Sequence, residues 1–243
     1  MTVPVRPART PRAVFSRMTN VLIALCCALF VLGPASGLNR AYGTGAALLH
    51  ARTRYFERWG VIPLDLWSGS PRAWLTPLTA LFVHGSWLHL LGNVLFLHVF
   101  GALTEARLGR LPFTACYLAT GYLALLAYAA AHASSDQTLV GASGAVSGVL
   151  GAFLFLFPRA RVTSLFPFLF FLPLRFPAWM VLLFWFCLQW QAAGRDPAGP
   201  GVAYLAHVIG FTLGFLYAWA RHARDSVGAT RGNGPSAEGE SQP

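Results

Sequence analysis

The chain has 243 residues, of which 56% are hydrophobic and only 11% charged, with a formal net charge of +10. A soluble domain carries about 25% charged residues, so this composition excludes an ordinary soluble fold and points to a polytopic membrane protein. The positive charge would suit nucleic acid, but the arginines flank apolar runs at the N-terminus, in short connections and near the C-terminal end. That is the distribution of membrane orientation, and no nucleic-acid partner is expected. Lysine is absent, which reads as a bias of genome composition and not of function.

In chain order, residues 1–17 carry Arg6, Arg9, Arg12 and Arg17 and no acid. They read as a cytoplasmic tail that holds the N-terminus inside, with a transit peptide as the alternative. A spanning helix needs about 20 largely apolar residues. Six such spans are predicted, at about 18–34, 87–104, 112–131, 139–157, 177–191 and 202–220, giving a membrane domain over 18–221. The fold class expected is therefore all-α, a six-transmembrane-helix bundle.

The long connection from Ala35 to Ser86 holds five arginines and Trp59, Trp67 and Trp74. Tryptophan favours the membrane interface, so this first outer loop is expected to be structured and to lie partly in that interface. Residues 163–176 are apolar but interrupted by Pro167 and Pro173, with Pro177 following. Repeated proline breaks a helix, so an interfacial or re-entrant loop is expected there, with a seventh span as the alternative. Residues 222–243, rich in Gly, Ser, Glu and Pro, read as a disordered tail. With the N-terminus inside, Arg107, Arg110, Arg159, Arg161, Arg175, Arg221 and Arg224 fall on the inner side, as the positive-inside rule requires.

Polar side chains within spans are leads to function. The second span opens on "HGSWLHLLGN", giving His84, His89 and Asn93; the fourth on "VGASG", giving Ser143; the sixth on "GVAYLAH", giving His207. These three spans run in the same direction. Asn93, Ser143 and His207 each fall a few residues inside, roughly 6–10 Å below the outer surface at about 1.5 Å per residue. His89 and Asn93, four apart, share a helix face. His84 points elsewhere, and no zinc site is expected from the two histidines. The cysteines Cys26, Cys27, Cys116 and Cys187 lack the spacing of a metal site and read as small buried hydrophobes.

Small residues recur every four positions at Gly144, Gly148 and Ala152, and at Ala206, Gly210, Gly214 and Ala218. Such stripes let helix backbones approach closely. If they meet, they bring the Ser143 hydroxyl to the His207 imidazole. A serine hydroxyl is a weak nucleophile until a base takes its proton, and neutral imidazole suits that task. No carboxylate lies inside a span on the outer side, so a Ser143–His207 dyad is the simplest arrangement. The Asn93 amide, the His89 ring N–H and the Ser143 backbone N–H are candidate oxyanion donors. Gly141 and Gly144 are expected to leave room for a substrate at Ser143.

Together these residues resemble the rhomboid family of intramembrane serine proteases. "GASG" at 141–144 is similar to its GxSG nucleophile motif. "AHVIGFTLG" at 206–214 is similar to its AHxxGxxxG motif, with His207 as base. "HLLGN" at 89–93 resembles its HxxxN oxyanion element, and "EARLG" at 105–109 its ExR turn. The resemblance covers about Trp74 to Tyr217. It implies a six-helix bundle with a water-filled cavity open to the outer side, and cleavage of a peptide bond in or near the transmembrane segment of a membrane-anchored protein. It implies no metal and no cofactor, and lateral access for substrate near the fifth span. The setting expected is a bacterial cytoplasmic membrane, with an organelle membrane as the alternative.

Two departures stand out. The family often has a Trp-Arg pair in the first outer loop, whereas Leu75 follows Trp74 here. Some members carry an aromatic four residues after the nucleophile that stacks on the base, where this chain has Ser147. The alternatives are a catalytically silent relative that binds membrane proteins, or a channel or transporter. The latter would show internal repeats and charged residues within spans, and neither is present. Oligomeric state and natural substrate are not legible in the sequence.

Overall fold

A computed structural model of the chain describes residues 16–166, 172–195 and 202–232. These are mostly helical. The long helices are α1 (Arg17–Leu32), α2 (Gly45–Trp59), α5 (Trp87–Leu108), α6 (Arg110–Ala131), α7 (Ser143–Leu156), α8 (Ala178–Ala193) and α9 (Tyr204–Gly232), with short helices α3 (Pro63–Leu66) and α4 (Thr76–Ala80) between α2 and α5. Helices α5 and α6 are each long and apolar enough to cross a membrane, while α1, α7 and α8 are apolar but shorter. Most of the N-terminal segment expected to be a tail lies outside the described residues.

Helix α7 is the centre of the molecule. Every residue from Gly144 to Leu154 is buried, and α5, α6, α8 and α9 pack around it. The periphery is apolar. Leu88, Leu91, Leu95, Val99 and Leu103 of α5 are exposed, as are Trp179, Leu183, Phe184, Leu188 and Trp190 of α8. Water would penalise such a surface and a bilayer would not. Hydroxyls inside the helices donate back to their own backbone: Thr104 to the Phe100 carbonyl (2.8 Å), Thr120 to Cys116 (2.7 Å) and Thr212 to Val208 (2.9 Å). Each is thereby satisfied without an external partner.

The α7–α9 contact is backbone against backbone. A Cβ added at Gly210 would strike the Gly144 carbonyl, one at Gly214 the Gly148 carbonyl, and one at Gly151 the Phe211 carbonyl. The two stripes predicted from the sequence do meet, with one refinement. The Cβ positions of Gly144 and Gly148 point at Ala124 and Thr120 of α6. Hence α7 offers its carbonyls to α9 along that stripe, and Gly151 is the α7 glycine that α9 itself demands.

The other terminus of the bundle is set by Glu105. This buried carboxylate of α5 accepts the Met18 and Thr19 N–H groups (3.0 and 2.8 Å) and the Thr19 hydroxyl (2.9 Å). It caps α1 from another helix, satisfying N–H groups that the first turn cannot satisfy itself.

Several expectations need correction. The fourth span was expected from 139, but α7 begins at Ser143. Leu139 is extended, exchanging hydrogen bonds with Val61 (2.9 and 2.7 Å), and the Gly141 N–H donates to the Ala80 carbonyl (2.9 Å). Gly141 has φ +127°, a conformation no helix continues through. The proline-rich stretch, expected as an interfacial or re-entrant loop, includes two antiparallel strands that were not foreseen, β1 (Arg161–Phe166) and β2 (Leu172–Pro177), in register from Arg161↔Pro177 to Phe166↔Leu172. Proline lacks the N–H for a helix or a central strand but is tolerated at the edges of a two-stranded ribbon. The residues joining the strands lie outside the described set. Finally, α9 continues to Gly232, eleven residues into the segment expected to be a tail.

The first outer connection is built of α2, α3 and α4 with short 3₁₀ turns. The Arg52 guanidinium donates to the carbonyls of Pro34 and Ala35 (3.0 and 3.1 Å). The Thr79 hydroxyl donates to the Trp59 carbonyl (2.8 Å) and the Tyr122 hydroxyl to the Trp74 carbonyl (3.0 Å). Trp67 and Trp74 pack edge to face, 5.8 Å between centroids. Through Val61 and Ala80 this connection fixes the strand that leads into Ser143.

Candidate active site

Ser143 is the first residue of α7 and His207 the fourth of α9, while His89 and Asn93 lie in the first two turns of α5. All four line one cavity of about 260 Å³, together with Trp185 and Gln189 of α8. A second cavity of about 440 Å³, walled by Leu139–Gly141 and by Val202, Ala203 and Ala206, also reaches His89, Ser143 and His207. The sequence separations between these residues run to more than a hundred positions, and the fold removes them. A further cavity of about 440 Å³, among Arg54, Arg58, Asp65 and Arg72 of the outer connection, contains none of these side chains.

Local folding explains each placement. The Ser86 hydroxyl accepts the His89 N–H (3.2 Å) and so caps α5, fixing where His89 enters the helix. Gly85 N–H lies 3.5 Å from His89 Nδ1, a long contact that favours the tautomer with the ring proton on Nε2. The same ring occupies the place a Gly141 side chain would take, since an added Cβ would lie 2.5 Å from Nε2. Gly141 therefore makes room for His89, and not for a substrate as expected. Asn93 is buried, and its amide donates to the His89 carbonyl at 2.9 Å. An NH₂ group has two hydrogens, so one bond leaves the second for another acceptor. The Ser143 N–H, at the first helical position, has no partner within α7 by helix geometry.

His207 is 8% exposed. Its Nδ1 lies 2.8 Å from Gln189 Oε1. Trp185 stacks on its face, 6.1 Å between centroids at 26°, and Tyr204 meets it edge on. Nε2 is buried and has no hydrogen-bond partner among the described residues. Ser143 Oγ shares the cavity with Nε2 without a hydrogen bond between them. Catalytic pairs are often long before substrate binds and tighten later.

Two residues at this site were not singled out from the sequence. Gln189 was legible in principle, as a polar side chain in an otherwise apolar span, the signal that located Asn93. Trp185 was not, because nothing distinguishes it from the other aromatics of α8. Ser147, left open by the sequence, donates to the Ser143 carbonyl (2.7 Å) and does not reach His207. The stacking ring that some relatives place at that position comes here from α8. His84, expected to point away, lies with its ring centroid 5.2 Å from that of His89 and is buried. Burial, and then the nearby His89, push its pKa down to about 4. Among the described residues no group of three or more potential metal ligands occurs.

An all-helical interior that draws a serine, two histidines and an asparagine from three apolar helices into one cavity defines a class of intramembrane protein. A rhomboid-domain family model matches residues 71–224, so the chain belongs to the rhomboid family and is an integral membrane protein. It is 35% identical over 142 residues to "Rhomboid protein 1, mitochondrial" of Saccharomyces cerevisiae, covering 57% of this chain and 39% of that protein. It is 36% identical over 101 residues to "Rhomboid-like protein 11, chloroplastic" of Arabidopsis thaliana, covering 42% and 35%. A third relative, "RHOMBOID-like protein 5" of Arabidopsis thaliana, is 32% identical over 77 residues, 32% of this chain and 25% of that one. The chain thus spans less than two-fifths of the length of these curated relatives. Two of them carry organelle names, and the comparisons give no support to the bacterial cytoplasmic membrane expected from the sequence.

Proposed function

We propose that this protein is an intramembrane serine endopeptidase that cleaves membrane-anchored proteins in or near a transmembrane segment. The observation that carries this reading is the cavity in which Ser143 faces a buried His207 whose Nε2 is unpaired. Six spans, α1, α5, α6, α7, α8 and α9, form the membrane domain over about 18–221, with the N-terminus inside and the cavity opening to the outer face.

In this mechanism His207 Nε2 takes the Ser143 Oγ proton as Oγ attacks the scissile carbonyl carbon. The oxygen becomes an oxyanion, met by the Asn93 amide, the His89 Nε2–H and the Ser143 N–H. Collapse expels the amine, which takes the proton from His207, and water then hydrolyses the acyl-enzyme by the same base. Glycines matter indirectly: Gly210 and Gly214 against Gly144 and Gly148 hold the two helices close, and Gly141 admits His89. The substrates are transmembrane proteins, with the bilayer as the other partner, and no step needs a metal or cofactor.

One observation favours the second reading, a silent scaffold: Oγ is not hydrogen-bonded to Nε2. Cleavage of a model transmembrane substrate in proteoliposomes decides between them. Ser143→Ala and His207→Ala are each expected to abolish cleavage while still accumulating in the membrane. Cleavage by purified Ser143→Ala would refute the protease mechanism.

A further inference from the structure

The histidine in a serine protease needs an orienting partner at Nδ1, usually a carboxylate. No Asp or Glu lines either cavity at Ser143. The groups that can titrate and face His207 are His89 from α5 and Tyr204 from its own helix. What does meet Nδ1 is Gln189 Oε1, at 2.8 Å.

We infer that Gln189 is the positioning residue for His207, taking the place that a carboxylate holds in a triad. This rests on the reading of Ser143 and His207 as nucleophile and base. An amide oxygen only accepts hydrogen bonds, so this contact keeps the ring proton on Nδ1. The lone pair is then on Nε2, the buried nitrogen with no hydrogen-bond partner among the described residues, on a histidine that lines the same cavity as Ser143. The other tautomer would set a lone pair against the amide oxygen and turn an N–H toward the serine, where it cannot act as a base. Trp185 lies one turn before Gln189 on the same face of α8 and stacks on the ring. One contact fixes the rotation of the imidazole and the other its plane.

The surroundings argue that this amide is not incidental. Helix α8 reads AWMVLLFWFCLQWQAA, with Gln189 and Gln191 its only polar side chains. An amide without partners inside a bilayer is strongly disfavoured, and the bond to Nδ1 satisfies the Gln189 oxygen. Helix α8 is also peripheral: only Ala178 and Leu182 are buried. The bond from Gln189 ties this outer helix to the base.

The test uses the full chain in proteoliposomes with a model transmembrane substrate, measuring kcat, KM and the rate of fluorophosphonate labelling. Gln189→Leu is expected to lower kcat and the labelling rate about 10–100-fold, the scale set by a misplacement of about 1 Å, with KM and melting temperature unchanged. Gln189→Glu, which keeps an oxygen at the same reach, is expected to restore most of the loss. If Gln189→Leu does not fold, Gln189→Asn serves: it keeps the amide but falls one methylene short of Nδ1, and the same loss of kcat is expected. Wild-type kcat in a folded Gln189→Leu or Gln189→Asn overturns the inference, as does a change in KM alone. Wild type and Ser143→Ala are run alongside. An inactive wild type or an active Ser143→Ala would overturn the protease reading and this inference with it, whereas normal behaviour of both isolates Gln189.

Discussion

Helix-to-helix distance is the quantity on which the account turns, and Gly214→Ala perturbs it away from the cavity. The added Cβ would land on the Gly148 carbonyl, with the Gly148 carbonyl carbon at 2.5 Å and Cα at 2.7 Å. Ordinary carbon contacts lie at about 3.5–4.0 Å. The obstacle is backbone, not a side chain that can swing aside, so α7 and α9 must part by about 1 Å. Overpacking of this kind costs about 1–3 kcal/mol, here expected at the upper end. Because Ser143 and His207 ride on these two helices, their separation grows by a similar amount. A 1 Å misplacement can cost about 10²-fold in rate. The assay is paired: thermal melting of the reconstituted protein and cleavage of a model substrate by the fraction that remains folded. Gly92→Ala is the control for stability, since an added Cβ there meets nothing within 4 Å. Unchanged melting and cleavage in Gly214→Ala would refute the claim that backbone contact at the glycines sets the site.

Gly141→Ala places a methyl group where the His89 ring lies and strains a positive-φ residue; turnover is expected to fall about 10²-fold, the scale of one oxyanion donor, and wild-type cleavage would show that His89 does not need its present place. Glu105→Ala strands the Met18 and Thr19 N–H groups, with an expected loss of about 2 kcal/mol or more in stability; an unchanged melting temperature would show that this carboxylate does not hold α1. His84 has its pKa lowered to about 4 in the fold from an ordinary 6.5, first by burial and then by His89. The unfolded chain therefore binds the extra proton, so the stability due to neutral His84 is complete above about pH 6.5 and is lost as pH falls toward 4. His84→Leu should flatten that acid limb in a melting series, and a limb of unchanged depth would assign it to another group.

What the sequence disclosed were features with a period or a misfit. Small residues every four positions foretold that α7 and α9 touch, and polar residues in apolar spans pointed to Asn93, Ser143 and His207, which line one cavity. Their meeting follows from helix direction and depth, both readable from hydropathy. What it hid were contacts set by tertiary position. Nothing local marks Trp185 as the ring that stacks on His207, because nearly every residue of α8 is aromatic or aliphatic. Gly141 looked like open space beside a nucleophile; the fold fills it with a histidine fifty-two positions earlier. His84 was assigned to another face on the assumption of a continuous helix, but α5 begins only at Trp87, and the turn before it brings the two rings together. The strands β1 and β2 were hidden for a related reason: proline excludes helix but does not by itself announce pairing. Ordered helix beyond Arg221 was missed because composition alone describes a tail and not what precedes its last turn.

The most direct measurement of the central claim is covalent. The detergent-solubilised or reconstituted protein is treated with a fluorophosphonate and digested, and the adduct is located by mass spectrometry. A nucleophile activated by His207 predicts a single adduct on Ser143 in the wild type and none in His207→Ala over the same time. A folded wild type that acquires no adduct, or one that carries it on a residue other than Ser143, would contradict it.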